Sequence, residues 1–287
     1  MVNIATRRQV VSATMQVLGI DLAAQPKSTG LVLLSRVGAG PVAVGSEATG
    51  SEATGSMGAT WRAELPQGVA TDEFLIELGT QVDVIGVDAP LGWPEPFVLA
   101  MQAHQIFDVW PGTENRRPLT HRRTDDWVRD QGWGQPMSAS ADRLGSVAMR
   151  CALLQREWAK QWGNAAPRDG SGRLLEVYPA AALRVWGIGQ PGYKGGTKDP
   201  QDSARLAREK IMSSLSRATE SWLELSAVRA ACIASDHTLD ALLSAVIALA
   251  AQNGCTAQPE TEEDLRLAKT EGWIHVPLKE LQEICLA

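Results

Sequence analysis

Apolar positions in the first third of the chain fall into short runs that predict β-strands. Runs at 15–21 and 30–34 are rich in β-forming residues and are close enough to pair antiparallel, and 59–63 resembles a strand that returns toward them. Between the last two, residues 45–56 repeat a small polar unit, GSEATGSEATGS, which predicts a flexible hairpin tip. The near-continuous apolar run at 82–88 is typical of a strand buried on both faces.

Helical spacing dominates the rest of the chain. Helices are predicted at 71–78, 139–162, 201–223 and 236–251, and another is predicted to start at Pro179 after a short strand at 174–177. By contrast, APLGWPEP at 89–96 is expected to be a loop, and 111–137, which is rich in Pro, Gly, Arg and Trp, is expected to be irregular.

The order of these elements predicts the fold class. Three antiparallel-type strands, a helix, a buried strand and further α/β units describe an α/β protein with a mixed β-sheet and helices on both faces, which matches the ribonuclease-H-like topology. No linker divides the chain into two complete halves, so we expect a single domain over residues 1–287. Ligand sites in such sheets lie outside the carboxyl ends of the strands.

The composition is that of a globular protein with a net negative charge. With 44% apolar residues the chain can bury a sizeable core, and a formal charge of -6 argues against coating nucleic acid through bulk charge. A local basic groove would still suffice for a nucleic-acid enzyme. The four cysteines are scattered without a CxxC pair, so neither a disulfide framework nor a zinc site is expected. No apolar run suits a signal peptide or a membrane span, and we expect a cytoplasmic protein.

Three aspartates lie where a carboxylate is hard to explain by structure alone. Asp21 ends the first strand, Asp88 ends the buried strand, and Asp240 lies inside the apolar helix segment TLDALLSAVIALA. Such carboxylates are unfavourable unless they are paired, hydrogen-bonded or bound to a cation. A divalent metal removes their mutual repulsion and creates a site for in-line phosphoryl displacement. The pattern therefore predicts Asp21, Asp88 and Asp240 as ligands of Mg²⁺ or Mn²⁺.

Structural alternatives stay open for these positions. Asp21 could cap the following turn, Asp88 could form an Asx-turn, and Asp236 is more typical of a helix N-cap than of a ligand. His237 lies on the same predicted helix face as Asp236 and Asp240. It is a candidate to bind metal or to move a proton to or from an attacking water, with a structural role as the alternative.

Several phrases of the chain resemble a known family. The segments GIDLAAQPKSTGLVLL, VIGVDAPLG, RRTDDWV, LLEVYPAAALRVWG, DHTLDALLSAVIALA and AKTEGWIHVP are similar, in this order, to the domain of unknown function 429 family of predicted nucleases with a ribonuclease H fold. The resemblance runs from about Val17 to Pro277. The phrase DHTLDAL also resembles the last acidic helix of RuvC Holliday-junction resolvases. The resemblance implies that Asp21, Asp88 and Asp240 bind metal, with His237 assisting.

The resemblance also draws attention to three further positions. Glu176 in LLEVYP matches a carboxylate of the family, and it is expected to be a further catalytic ligand or to anchor an arginine. Arg123 and Asp125 in RRTDD match another phrase. An arginine beside a metal site can hold a phosphate at two points, whereas the alternative is a structural ion pair with Asp125 or Asp126.

Basic and aromatic residues supply candidate substrate contacts. The chain has a local basic cluster at Arg116, Arg117, His121, Arg122 and Arg123, which would suit a phosphate backbone but is more commonly a solvated charged loop. Lys27, in a segment that loosely resembles a kinase phosphate loop, and Lys194, in a basic stretch that extends to Lys198, are further substrate-binding candidates. Trp93, Trp110, Trp127 and Trp133 either stack on bases or anchor long loops.

Three functions are compatible with these patterns. The first is a metal-dependent nuclease or phosphodiesterase acting on DNA or RNA. The second is a non-catalytic binding protein on the same fold, and the third is a phosphotransferase of the actin and sugar-kinase kind, which would require a second half-domain and ATP. We expect the first. No protein partner is inferable.

Overall fold

The computed structural model describes residues 15–37, 61–108, 110, 115–195 and 201–284 of the 287-residue chain. The predicted hairpin tip at 45–56 lies outside these residues. So do part of the predicted irregular segment and the end of the basic stretch, including Lys198.

The described residues contribute seven strands to one mixed sheet. These are β1 (Gln16–Asp21), β2 (Gly30–Arg36), β3 (Trp61–Glu64), β4 (Val84–Asp88), β5 (Leu174–Val177), β6 (Leu223–Glu224) and β7 (Ile274–His275). Their order in the sheet is β6-β3-β2-β1-β4-β5-β7. The first three strands pair antiparallel in succession, and β4 and β5 lie parallel to β1 on its other side. The predicted α/β fold with a ribonuclease-H-like strand order is confirmed.

Helices cover both faces of this sheet. Those in the described residues are α1 (Asp72–Gln81), α2 (Glu95–Gln105), α3 (Arg117–Thr120), α4 (Arg123–Asp130), α5 (Gly145–Trp162), α6 (Pro179–Val185), α7 (Gln201–Thr219), α8 (Ser226–Ala234), α9 (Asp236–Gln252) and α10 (Glu262–Glu271). One apolar core joins α6, α7, α8 and α9 to the sheet, and a second joins α1 and α5 to the opposite face. No described helix is long and apolar enough to cross a membrane.

Local chemistry explains where several helices begin. The hydroxyl of Thr71 accepts a hydrogen bond from the backbone of Phe74 and caps α1, as the sequence predicts. Pro179 begins α6 at a position where its missing N–H costs nothing. At the start of α9 the cap is Ser235, whose hydroxyl accepts from the backbone N–H of Thr238. The prediction that Asp236 is the N-cap is therefore wrong by one residue.

Two predicted irregular segments contain helix. Residues 89–96 overlap the start of α2, because Pro94 precedes the helix and Pro96 falls in its first turn, where proline is tolerated. Residues 111–137 contain α3 and α4. At the start of α4 the carboxylate of Asp125 accepts a hydrogen bond of 2.8 Å from the backbone N–H of Arg122. This bond stabilises the helix end and does not depend on a periodic pattern of apolar residues.

Glycines in three neighbouring strands let α9 lie directly against the sheet. A Cβ added to Gly19 would lie 2.0 Å from the carbonyl oxygen of Ala241, and one added to Gly30 would lie 2.0 Å from that of His237. In β4, a Cβ on Gly86 would lie 2.4 Å from the carbonyl oxygen of Ser244. Contacts this close leave no room for a side chain, so these glycines fix the height of α9 above the sheet.

Candidate metal centre

The three predicted aspartates come together in space. Asp21 and Asp88 are the last residues of β1 and β4 and are register partners in the parallel pairing, so both carboxylates leave the sheet at the same edge. Asp240 lies one turn into α9, above these strand ends. One oxygen from each of the three carboxylates lies within 4.8 Å of the other two. A single cation is therefore within reach of all three.

Burial and mutual repulsion act on this cluster. The pKa of Asp240 is raised to about 6, chiefly by burial. The charge of Lys194 lowers this pKa, and the charge of Asp21 raises it. Burial also raises the pKa of Asp88 well above its usual value, and the charges of Asp21 and Asp240 add to this shift while Lys194 again opposes it. A divalent cation would favour the ionised forms of Asp88 and Asp240 and oppose these shifts.

His237 completes the outer side of the cluster. Its Nδ1 lies 2.7 Å from Oδ2 of Asp21, and this hydrogen bond raises the pKa of the imidazole even though partial burial lowers it. The side chain is 43% exposed. His237 therefore joins the predicted constellation through Asp21, and it can exchange protons with solvent.

A cleft opens beside the carboxylates. It has a volume of about 420 Å³, and its lining includes Asp21, Asp88, Tyr178, Tyr193 and Lys194. Tyr178 directly follows the last residue of β5, a position that points to the cleft and that can be read from the sequence. The contact between Tyr193 and Asp240 could not be predicted from the sequence, because the two residues are 47 positions apart.

Lys194 lies in the cluster as well as in the cleft. Its Nζ is 2.7 Å from Oδ2 of Asp240, and the hydroxyl of Tyr193 donates a hydrogen bond of 3.0 Å to Oδ1. Burial lowers the pKa of Lys194, but Asp240 and Asp88 raise it more, so the amine stays protonated at neutral pH. Lys27, by contrast, is exposed on the short 3-10 helix Pro26–Ser28 and is not among the described residues that line the cleft.

Glu176 and Arg122 form a buried ion pair next to the cluster. The guanidinium makes a two-point contact with Glu176, at 2.7 Å and 2.6 Å, and a second two-point contact with Asp125, at 3.1 Å and 2.8 Å. A bond of 3.1 Å to the carbonyl oxygen of Glu271 uses its fifth N–H. Of the two predicted roles for Glu176, the geometry gives the anchoring of an arginine.

This pairing corrects the predicted role of Arg122. The residue is 2% exposed and all five of its N–H groups are engaged, so it is a structural counter-ion and has no donor left for a substrate phosphate. Arg123 also differs from its prediction. Its Nε lies 2.5 Å from Asp264 rather than beside Asp125 or Asp126, and its side chain lines a separate depression formed with α10.

A further arginine of the predicted basic cluster and two of the four tryptophans also have structural roles. Arg117 pairs with Asp126, so the cluster does not present a row of free cations to the carboxylates. The rings of Trp127 and Trp133 meet edge to face at 5.2 Å, and Trp127 lies 5.1 Å from Trp273. For Trp127 and Trp133 the loop-anchoring alternative is the one that the geometry favours.

Comparison with known proteins gives one result. Searches of curated proteins and of solved structures found no significant match. The sequence profile of one family matches residues 19–264, which include Asp21, Asp88 and Asp240. Because this match spans most of the chain, the protein belongs to the family described as protein of unknown function, DUF429.

Proposed function

We propose that this protein is a metal-dependent phosphodiesterase that hydrolyses nucleic acid, with Asp21, Asp88 and Asp240 as the ligands of Mg²⁺ or Mn²⁺. The observation that carries the proposal is the convergence of these carboxylates within 4.8 Å at the edge of an open cleft. The ammonium of Lys194 balances only part of the charge of the three carboxylates, whereas Glu176 is matched by the guanidinium of Arg122. A bound cation supplies that missing charge.

The donor set fits the proposed metal. Three carboxylates offer hard oxygen ligands, which suit Mg²⁺ and Mn²⁺, whereas zinc sites are usually built from histidine and cysteine. When bound, such an ion lowers the pKa of a coordinated water and neutralises the charge that develops on a phosphate. Burial, with a smaller contribution from the neighbouring acids, raises the pKa values of Asp88 and Asp240, and a bound cation would oppose this effect.

The surrounding side chains have roles in binding and proton transfer. His237, held by Asp21 and partly exposed, is suited to take a proton from the attacking water or to give one to the leaving oxygen. Lys194 lines the cleft and carries a positive charge that can contact a non-bridging phosphate oxygen. Since Arg122 is committed to Glu176, the substrate phosphate depends on Lys194 and the metal rather than on an arginine clamp.

A non-catalytic binding protein is the second candidate. The ion pair between Lys194 and Asp240 favours it, because an ammonium can neutralise a carboxylate without any metal. The phosphotransferase alternative has less support. It requires two half-domains, and the described residues build a single sheet.

The test is hydrolysis by the purified full-length chain with Mn²⁺ or Mg²⁺. The substrates are labelled single- and double-stranded DNA, RNA, an RNA–DNA hybrid, a four-way junction and bis-p-nitrophenyl phosphate. We expect cleavage of at least one substrate, abolished by chelation. Asp240→Asn should lower the rate by about a hundredfold or more, the effect of losing a group that stabilises the transition state.

Asp236→Asn is the matched control. Asp236 lies on the same helix but outside the carboxylate cluster, so this variant should keep most of the activity. Equal losses in both variants would contradict the assignment of Asp240. Absence of both hydrolysis and metal binding would favour the binding-protein alternative.

A further inference from the structure

Two consecutive residues occupy both oxygens of one metal-ligand candidate. The hydroxyl of Tyr193 donates to Oδ1 of Asp240 at 3.0 Å, and Nζ of Lys194 lies 2.7 Å from Oδ2. The carboxylate of Asp240 is almost fully enclosed, with 2% of its side chain exposed. The ammonium, on a side chain that is 49% exposed, therefore occupies one side of the space in which a cation bound to Asp240 would lie.

A buried arginine, Arg208, fixes the backbone at Tyr193, the residue before Lys194. Nη1 of Arg208 donates a hydrogen bond of 2.7 Å to the carbonyl oxygen of Tyr193, and its Nε donates one of 2.8 Å to that of Ile233, near the end of α8. Arg208 is 8% exposed. The ring of Tyr193 also packs against the apolar core. These contacts fix the backbone at Tyr193, the residue next to Lys194, and so position Lys194 for its contact with Asp240.

Charge balance limits how many metal ions this site can hold. Three ionised carboxylates carry three negative charges, and one divalent ion together with one ammonium carries three positive charges. In a two-metal centre the ions lie about 3.5–4 Å apart and share a carboxylate between them. A second divalent ion beside Asp240 would have to share that space with the ammonium of Lys194, and like charges this close repel strongly.

We propose that Lys194 serves as the second cation of this site, so that Asp21, Asp88 and Asp240 hold one divalent ion instead of the two of a two-metal centre. The inference rests on the proposed function, since it concerns the same metal site. It makes Lys194 the group that contacts the phosphate oxygen where a two-metal enzyme would use its second ion. Tyr193 and Arg208 are then positioning residues for Lys194.

The experiment counts bound ions without measuring activity. Mn²⁺ binding to the full-length chain is measured by calorimetric titration and by the loss of the free-ion signal in electron paramagnetic resonance. We expect one Mn²⁺ per chain for the wild type and two for Lys194→Met, which removes the charge but keeps the length of the side chain. Lys194→Arg, which keeps the charge, should bind one. Lys269→Met, at an exposed lysine of α10, is the control for removing any surface lysine and should also bind one.

Each result has a distinct meaning. Two ions in the wild type would overturn the role of Lys194 and leave the proposed function standing. One ion in Lys194→Met, with a circular dichroism spectrum like that of the wild type, would also overturn it. If that variant does not fold, the count in the wild type still decides between one ion and two. Absence of Mn²⁺ binding in the wild type would overturn both this inference and the proposed function.

Discussion

At the scale of single residues, some buried ionisable side chains are matched with opposite charge and others are kept neutral. Arg122 and Glu176 are matched with each other, with Asp125 as a second partner of the arginine. His275, 1% exposed, is kept neutral, because burial lowers the pKa of its imidazole to about 4. Asp21, Asp88 and Asp240 form an acidic cluster in which Lys194 balances only part of the charge, which is why they are the candidates for a cation.

His275 should make stability depend on pH. Its pKa falls from an ordinary value of 6.5 to about 4 on folding, so the unfolded chain binds the proton more tightly. The contribution of His275 to the free energy of unfolding is therefore fully present above pH 6.5. It is lost as the pH falls toward 4, and the loss over this range is about 3 kcal/mol. Urea unfolding at several pH values measures this loss.

The variant His275→Gln isolates that contribution, because the carboxylates titrate alike in both proteins. Its unfolding free energy should change less between pH 6.5 and 4 than that of the wild type. His104→Gln, at an exposed histidine of α2, should behave as the wild type. An unchanged pH dependence in His275→Gln would mean that His275 is not kept neutral by burial.

Arg122 should matter for stability and not for substrate contact. Arg122→Met leaves Glu176 and Asp125 without their shared counter-ion, and removing one partner of a buried ion pair typically costs about 3–5 kcal/mol. Adding Glu176→Gln to this variant should recover part of the loss, since one uncompensated carboxylate is then gone. A double-mutant cycle in urea measures both effects. A stable Arg122→Met variant with weaker substrate binding would restore the phosphate-binding role that the geometry argues against.

The sequence indicates single residues best where burial and chemistry conflict. Asp240 could be identified because a carboxylate inside an apolar helix has no capping role, and Asp21 and Asp88 because both end predicted strands. The partner of Glu176 could not be chosen in advance. Arg122 and Arg123 are neighbours of the same type, and only their tertiary contacts distinguish the buried one from the one that meets Asp264.

At the scale of elements, the position of α9 depends on how closely it approaches the sheet. The two strands that end in the metal-ligand candidates share the pattern Gly, apolar residue, Asp, as GID and GVD. The glycines admit the helix backbone, and two residues later the aspartates meet Asp240. The same short pattern in β1 and β4 thus specifies both the contact with α9 and two of the three carboxylates of the candidate metal site.

Replacing Gly86 should disturb stability and metal binding together. The Cβ of Gly86→Ala would lie 2.4 Å from the carbonyl oxygen of Ser244 in α9, so the helix must shift. Such overpacking costs about 1–3 kcal/mol, and the displacement of Asp240 should weaken Mn²⁺ binding. Gly145→Ala in α5 meets nothing within 4 Å and should be neutral or slightly stabilising. Unchanged Mn²⁺ affinity in a destabilised Gly86→Ala protein would mean that Mn²⁺ binding does not depend on how closely α9 packs against the sheet.

Strands and helices could be predicted from the sequence where their apolar residues follow a regular spacing. The runs that became β1, β2, β4 and β5 and the helices α1, α5, α7 and α9 carry that signal. The helices α2 and α4 do not, because α2 begins among prolines and α4 is held by ion pairs and an N-terminal carboxylate cap. Ion pairs of Arg122 with Glu176 and of Arg123 with Asp264 connect the start of α4 to β5 and α10, and contacts between distant segments are not visible in local sequence.

At the scale of the whole molecule, strand order creates the site. β1 lies between the antiparallel β2 and the parallel β4, so the carboxyl ends of β1 and β4 meet at one edge of the sheet. This is the location at which open α/β sheets bind ligands. The sequence could predict this convergence from the order of elements alone, although not the cleft beside it, which draws on residues as far apart as Leu22 and Ile274.

For the proposed function, the net charge of -6 would make a metal more important than it is for a basic nuclease. Three arginines of the protein's predicted basic cluster, Arg117, Arg122 and Arg123, are paired with acidic residues, so bulk attraction for a phosphate backbone is weak. Under the proposed function, the negative charge of a nucleic acid would then be met inside the cleft, by Lys194 and a divalent ion. The central claim is therefore the position of that ion.

The most direct measurement is anomalous diffraction from crystals of the full-length chain soaked in Mn²⁺. The account predicts a manganese peak in contact with carboxylate oxygens of Asp21, Asp88 and Asp240, at the ligand distances of about 2.0–2.6 Å that hard oxygen donors give. The same crystals soaked without Mn²⁺ provide the control. Fully occupied manganese at other residues, with the three aspartates still paired only with Lys194, Tyr193 and His237, would contradict it.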